Sequence, residues 1–552
     1  MSSLLNIQLA QINYTVGDLD GNYQKTINFY TKYQDSTDLV VFSELSLSGY
    51  PPEDLLLKDY FLDQIEEKIK LLVEYSKGKK AAMLVGSPVR IIDQHGKKSL
   101  FNSAILIENG AIKELFHKRN LPNYGVFDEK RYFTESNNLK NIEFRGINIS
   151  ILICEDIWSF QNSFLLKEQN VDLIISINAS PFEQEKLLNR ITRVKKFNEN
   201  IQKNIIYLNQ IGANDSLIFD GASFVINRKN ELILTLEEFA EDEGKIIIDK
   251  KGNIDLAATY FIMSDLERIY NALILGVRDY VLKNNFQNVV IGLSGGIDSA
   301  LVSTIAVDAL GAENVTLIAL PSKYNSDQSF VDATDLANNL GIKLEKISIQ
   351  GIFNEVESVL NPIFQNHKTD FTEENIQSRI RGLLLMSVSN KFGNLLLSTG
   401  NKSELATGYA TLYGDMNGAY NPLKDIYKSE IYQLTKWRND NIPKITGLLK
   451  DNIIPKSIII KEPTAELKEG QKDSDSLPDY KILDQILYLI IEEQESEKEI
   501  IARNFEPAIV KKIIKLFYNN EFKRQQAVIG PKISKMSFDK DRRYQISNRF
   551  KK

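Results

Sequence analysis

The sequence predicts an α/β protein built from more than one layered domain, and three observations lead there. Short apolar runs rich in β-branched residues, at 38–42, 81–85, 147–153, 171–176, 288–293 and 315–320, alternate with stretches of helical period. Most of these runs end in polar residues, where open α/β sheets place their chemistry. The string NVVIGLSGGIDSA at 288–300 joins a buried strand to a helix through a turn that only a glycine-rich backbone makes easily. With 552 residues there is room for two or three domains. Hydrophobic residues make up 43% and charged ones 25%, an ordinary globular balance. A net charge of −6 argues against nucleic acid as the main partner. No apolar run reaches membrane-spanning length, and MSSLLNIQLAQ lacks a basic region before an apolar stretch, so a cytoplasmic protein with no membrane partner is expected.

In the first half, 5–14 alternates like a strand, 17–33 is an amphipathic helix, and DLVVF at 38–42 is a buried strand that ends at Glu44. A helix over 62–77 and a strand over 81–85 follow. A hairpin over 101–116 turns at Asn109-Gly110 and runs into Lys118. The apolar strand 147–153 leads to Cys154, Glu155 and Asp156, and the strand 171–176 leads to Ser180. A helix over 187–203, a strand over 204–209 and hairpin material over 218–250 complete this half. Cys154 is the single cysteine, so no intramolecular disulfide can form, and the three histidines are too scattered for a zinc site. A carboxylate, a lysine and a cysteine thus stand at three strand ends. On this placement alone the sole cysteine reads either as a small buried hydrophobe or as a reactive thiol.

The stations FSELSLSGYPPEDLLL, HKRNLPNYGVFDEKRYF and ICEDIW, in that order, resemble the nitrilase or carbon–nitrogen hydrolase family over residues 1–250. The resemblance implies an α-β-β-α sandwich with Glu44, Lys118 and Cys154 as its catalytic triad. It further implies glutamine contacts at Tyr124, Ser180 and Lys186, with Glu185 standing where the family often has glycine. Glutamine would yield glutamate and ammonia.

Residues 251–264 read as a linker, and 265–552 as a second domain. A long helix over 264–282 feeds the glycine loop. That loop, Gly292, Leu293, Ser294, Gly295, Gly296, Ile297, Asp298 and Ser299, lacks the GxxxxGK[ST] pattern, yet strand, small-residue turn and helix N-terminus together suit a phosphate. Strands at 315–320, 344–349 and 395–398 alternate with helices at 326–340 and 373–390, which implies a doubly wound parallel sheet. Thr399 stands at a strand end and Glu404 five residues on. The loop resembles the SGGxDS loop of the ATP pyrophosphatases. With LLLSTGNKSE, LYGDMNGAYNPLKDIYKSE, EPTAELKEGQKDSDSLPDY and GPKISKMSFDKDRRY it resembles the NAD synthetase domain, of the adenine nucleotide α-hydrolase-like fold.

This second resemblance implies ATP, as co-substrate, on residues 292–299 and Thr399. It implies deamido-NAD+ on Asn375, Glu404 and Lys532, and Mg2+ on Asp298 and Glu404. The basic tail, Lys523–Arg524 and 532–543, reads either as a solvated surface or as a clamp on dinucleotide phosphates. Together the two halves imply glutamine-dependent synthesis of NAD+ from deamido-NAD+ through an adenylated intermediate, an internal ammonia channel, and a homo-oligomer dimerising through the synthetase domain. Two other readings stand at this point: a fused amidase acting on tRNA, and a non-enzymatic glutamine sensor. The acidic charge opposes the first and the complete Glu–Lys–Cys set the second.

Overall fold

The structure, a computed structural model, describes residues 4–249, 252–254, 263–365, 367–475 and 477–550. The chain divides into two compact units, Met1–Met263 and Ser264–Lys552. Most of the expected linker lies outside the described residues; within it Ile254 bridges to Ile248.

In the first unit the order is β1 (Leu5–Gln11), α1 (Leu19–Tyr33), β2 (Leu39–Val41), α2 (Asp59–Tyr75), β3 (Ala82–Ile92), β4 (Lys98–Glu108), β5 (Ala111–His117), β6 (Asn141–Phe144), β7 (Ile147–Ile153), α3 (Phe160–Glu168), β8 (Leu173–Asn178), α4 (Lys186–Ile201), β9 (Asn204–Asn209), β10 (Ile211–Asn214), β11 (Leu217–Asp220), β12 (Phe224–Ile226), β13 (Leu232–Thr235) and β14 (Asp242–Ile248). Two six-stranded sheets form, ordered β14-β1-β2-β3-β4-β5 and β13-β12-β9-β8-β7-β6.

The period-2 geometry of a strand explains why the buried runs carry no polar face. In β2 and β3, Leu39, Val41, Ala82 and Leu84 face a core shared with Ile149, Ile151, Ile175, Ile177 and Leu208 of the second sheet. The alternate residues Val40, Met83 and Val85 pack instead under Ile27 and Tyr30 of α1 and Ile65, Ile69 and Leu72 of α2. On the other side Leu152, Ile174 and Tyr207 meet Val194 and Phe197 of α4. Three apolar layers therefore hold four layers of structure together, the α-β-β-α sandwich. Two elements differ from the periodicity reading. Strand β3 runs on to Ile92 because β4 pairs with it from Met83 to Ile92, although its distal end is exposed. Helix α3 is too short and polar to stand out, yet Leu166 anchors it.

The second unit runs α5 (Asp265–Lys283), β15 (Val289–Gly292), α6 (Ile297–Leu310), β16 (Val315–Ala319), α7 (Asp327–Leu340), β17 (Leu344–Lys346), α8 (Gln350–Phe364), α9 (Phe371–Phe392), β18 (Leu395–Leu396), α10 (Lys402–Thr407), α11 (Lys428–Asp440), α12 (Lys456–Ile460), α13 (Tyr480–Ile491), α14 (Glu497–Ala502), α15 (Pro507–Asn519) and α16 (Glu521–Arg524). Its sheet is parallel, ordered β17-β16-β15-β18. The connections through α6 and α7 lead to strands on one side of β15; the return to β18 on its other side passes through α8 and α9, which pack over Val290, Ile318 and Leu396. The switch point lies between β15 and β18, so the glycine loop and Thr399 leave the sheet side by side. Beyond the sheet, Leu405 and Ala406 of α10 pack into a helical cluster with Leu483, Leu487 and Ile513 of α13 and α15.

Candidate functional site

In the first unit, three strand ends converge. Glu44 follows β2, Lys118 follows β5, and Cys154 opens the 3-10 turn Cys154–Trp158 after β7. All three are buried. The Lys118 ammonium donates to Glu44 Oε1 at 2.7 Å and to Glu129 Oε1 at 2.8 Å. Asn102 Nδ2 also reaches Glu44 Oε1, at 2.8 Å, and the Ala179 N–H reaches Oε2, at 2.8 Å. Glu129 holds the Tyr50 hydroxyl at 2.8 Å on the same oxygen that takes Lys118. Cys154 has φ +46. A non-glycine residue there costs about 1–3 kcal/mol, and such strain collects at functional turns. Asp156 secures the turn: it accepts the N–H groups of Arg119 (3.0 Å), Asn120 (2.7 Å) and Ile153 (3.1 Å). It thereby ties the chain after Lys118 to the start of the cysteine turn.

Burial, followed by the charge of Glu44, pushes the Cys154 thiol well up, while the Lys118 ammonium pulls it down, as expected of a neighbouring lysine. Lys118 is itself held well above the usual lysine range. Burial alone would lower it, but Glu129 and Glu44 outweigh that. The ammonium is thus matched by two buried carboxylates, and the direction of the Cys154 shift favours the thiol form. Glu129 has no counterpart among the sequence-selected residues; its only signal is a second acid in the station that carries Lys118.

The other expected contacts lie around this centre. Tyr124 is 59% exposed, and its hydroxyl donates to Glu155 at 2.9 Å. Ser180 is buried after β8, with its Oγ accepting from Arg190 at 3.1 Å. Lys186 opens α4, and its ammonium lies 3.8 Å from Glu183 and 5.9 Å from the Trp158 ring centre. Glu185 before it has φ +63, which gives a physical reason for glycine at that position in the related family.

In the second unit, a cavity of about 320 Å3 opens at the switch point. Gly292, Leu293, Ser294, Gly296, Ile297, Asp298, Ser299, Thr399 and Glu404 all line it. Gly295 lies behind the surface: it has φ +81, and a Cβ there would come within 2.2 Å of the Ser329 carbonyl oxygen. Helix α6 starts at this loop without a side-chain cap, and its first residues, Ile297, Asp298 and Ser299, line the cavity, so its N-terminus suits an anion. Asp298 accepts from Asn401 Nδ2 at 3.0 Å and pairs with the Lys428 ammonium, which is 3.8 Å from Glu404. Burial, followed by Asp298, pushes the Glu404 carboxyl up to about 8. Two carboxylates crowded on one lysine fit a hard cation that arrives with phosphate oxygens, since Mg2+ takes few protein ligands and keeps the rest for substrate and water. Lys428, the first residue of α11, is a further site residue that no local pattern singled out.

Asn375 and Lys532 are not brought to this lining. Asn375 Oδ1 accepts from Thr411 at 2.8 Å. Lys532 is buried against Asp541 at 3.0 Å and the carbonyls of Ser534 (2.6 Å) and Lys535 (3.1 Å). The tail divides: Lys535, Lys540 and Arg543 are exposed, as a solvated surface requires, while other cations turn inward. Arg524 donates to the carbonyls of Leu405 and Ala406, and Lys523 to those of Gly408 and Ala410. Arg542 pairs with Glu521. Much of the tail's positive charge is thus directed inward, to the backbone that follows Glu404 and to neighbouring carboxylates.

Comparison with known proteins bears on both halves. Residues 6–257 match the carbon-nitrogen hydrolase family and residues 269–527 the NAD synthase family. The glutamine-dependent NAD(+) synthetase of Acinetobacter baylyi is 42% identical over 547 residues, covering 98% of each chain. The chain belongs to the glutamine-dependent NAD(+) synthetase family. The Synechocystis enzyme of the same name is 42% identical over 563 residues, covering 99% of each chain. Among solved structures, the Acinetobacter baumannii enzyme in complex with adenosine diphosphate aligns with a TM-score of 0.79 at 40% identity, covering 99% of each chain.

Proposed function

We infer that this chain amidates deamido-NAD+ to NAD+ with ATP, using glutamine as the amide donor. The observation that carries this reading is the presence, in one chain of this family, of a buried Glu–Lys–Cys centre and of a glycine-loop cavity closed by two carboxylates. In the first unit Cys154 Sγ attacks the glutamine carboxamide carbon. Glu44 takes the thiol proton and passes it to the departing ammonia, and Lys118 faces the oxyanion. Water activated by Glu44 then cleaves the thioester to glutamate. Glu129 balances Lys118 and keeps it charged. Tyr124, Ser180 and Lys186 form the mouth that takes the amino-acid end of glutamine.

In the second unit the glycine loop and the open N-terminus of α6 hold the ATP phosphates, with Thr399 on the nucleotide. The deamido-NAD+ carboxylate displaces pyrophosphate from the α-phosphorus, because a bare carboxylate is a poor electrophile and AMP leaves readily. Ammonia then displaces AMP. Mg2+, held by Asp298 and Glu404, would supply charge neutralisation at the phosphate oxygens. Lys428 is placed to balance the same two carboxylates. Asn375 and Lys532 are supported as deamido-NAD+ contacts by the family resemblance alone. The family resemblance supports a homo-oligomer dimerising through the synthetase domain, and a cytoplasmic setting.

The experiment is to incubate the protein with ATP, Mg2+, deamido-NAD+ and either glutamine or ammonium, and to assay NAD+, AMP and glutamate. Absence of NAD+ from both nitrogen sources would overturn the reading. Light scattering over a range of concentrations decides the oligomeric state.

A further inference from the structure

Arg190 is a fully buried arginine on α4, one turn beyond Lys186, in a unit whose chemistry has so far not involved it. Removing a guanidinium from water costs several kcal/mol unless each donor is matched. Here every nitrogen has a partner. Nη1 donates to both oxygens of the Asp220 carboxylate, at 2.7 and 2.8 Å. Nη2 donates to the carbonyls of Ser180 and Pro181, each at 2.9 Å, and Nε donates to Ser180 Oγ at 3.1 Å. Asp220 lies at the end of β11, so the guanidinium clamps the turn after β8 against another strand.

That turn carries the Ala179 N–H, which donates to Glu44 Oε2. The two oxygens of Glu44 are not equivalent. Oε1 already accepts two hydrogen bonds, from Lys118 and Asn102, whereas Oε2 has one, from Ala179. A carboxylate oxygen offers two lone pairs, so Oε2 keeps one for the thiol proton. The Ala179 N–H therefore fixes the direction of the oxygen that is left to take the thiol proton.

We propose that Arg190 is a positioning residue for glutamine hydrolysis: by fixing the Ser180 and Pro181 carbonyls it holds the Ala179 N–H on Glu44 Oε2. The proposal rests on Glu44 being the base, as inferred above. The other titratable groups that face Glu44 are Lys118, Glu129, Tyr50 and Cys154. Arg190 hydrogen-bonds none of them, though its charge acts on Cys154; a substitution that keeps the charge therefore acts through the turn. A carboxylate that loses a hydrogen-bond donor becomes more basic.

The test is Arg190→Lys, which keeps the charge and loses the fork. Glutamate release is measured from pH 5 to 9, beside ammonia-dependent NAD+ synthesis in the same preparation. The expected result is a fall in kcat for glutamine hydrolysis of roughly 10–100-fold, with the acid limb of kcat/KM moved upward by about one pH unit. Ammonia-dependent synthesis should stay at the wild-type level. Asp220→Asn, an isosteric change that loosens the same guanidinium, should move the limb in the same direction by less, and it stands in if Arg190→Lys does not fold. A slower enzyme with its acid limb unmoved in both variants would show that Arg190 only supports the fold and would overturn the proposal. Glu44→Gln in the wild-type background is the separate control: glutamine hydrolysis that survived it would remove the base assignment itself.

Discussion

Cys154 is buried among acids. Its thiol is pushed well up by burial and by Glu44, and this can be measured. Thiolate is the reactive form, its fraction rises with pH, and burial and Glu44 put the titration well above the ordinary cysteine range. Alkylation of Cys154 by iodoacetamide without glutamine should therefore be slow at pH 7 and still be climbing past pH 9. A plateau at neutral pH would reveal a preformed thiolate. Cys154→Ala should abolish glutamine-dependent synthesis and leave ammonia-dependent synthesis intact, because the sole thiol lies in the unit that lacks the glycine-loop cavity. Assaying NAD+ from the two nitrogen sources decides it, and normal activity with glutamine would remove Cys154 from the chemistry.

At the scale of elements, the short helix α10 is the instructive case. It has six residues, too few to be stable alone, yet it carries Glu404. Its N-terminus is held by Asn401, whose side chain accepts the Glu404 N–H at 2.9 Å. Its first residue, Lys402, is fully buried between Glu492 (2.5 Å) and Asp425 (2.8 Å). Its C-terminal carbonyls are taken by Arg524, Asn520 and Lys523. Removing one partner from such a cluster leaves uncompensated buried charge, which typically costs about 3–5 kcal/mol. Lys402→Met should therefore lower the unfolding free energy of the second unit by roughly that amount. Denaturant unfolding followed by circular dichroism measures it, with the first unit's glutamine hydrolysis retained. A change below 1 kcal/mol would mean that α10 does not depend on this cluster.

For the whole molecule, two chemistries share one chain, and free ammonia is lost to protonation and diffusion. Glutamine turnover that ran without an acceptor would be wasted. We expect glutamine hydrolysis to accelerate when ATP and deamido-NAD+ are present. A coupling of about 1–3 kcal/mol corresponds to roughly 5–150-fold activation. Glutamate release at saturating glutamine, with and without ATP, Mg2+ and deamido-NAD+, measures it directly. Equal rates would mean two independent enzymes on one chain. Such coupling requires that the acceptor substrates bind unequally to two states of the protein, since a ligand shifts an equilibrium only by differential affinity.

The amino-acid sequence by itself determined the α/β class, the positions of most strands in the sheets, the glycine loop, and the polar strand ends where Glu44, Lys118, Cys154 and Thr399 stand. These are readable because strand period, helix period and the need for glycine at a tight turn are local properties of a few residues. Only the tertiary structure decided that Glu129 shares Lys118 with Glu44, that burial pushes the Cys154 thiol up, that Lys428 stands between Asp298 and Glu404, and that Lys402, Lys523 and Arg524 are bound internally. The partners concerned are far apart in the chain, as with Lys402 and Glu492 or Lys428 and Asp298. Neither a pairing across that distance nor the desolvation that sets its strength leaves any periodic trace in the sequence. The sign of a side chain's charge is legible from its identity, but what that charge does is decided by which groups the fold brings within hydrogen-bond reach of it and how much water it removes.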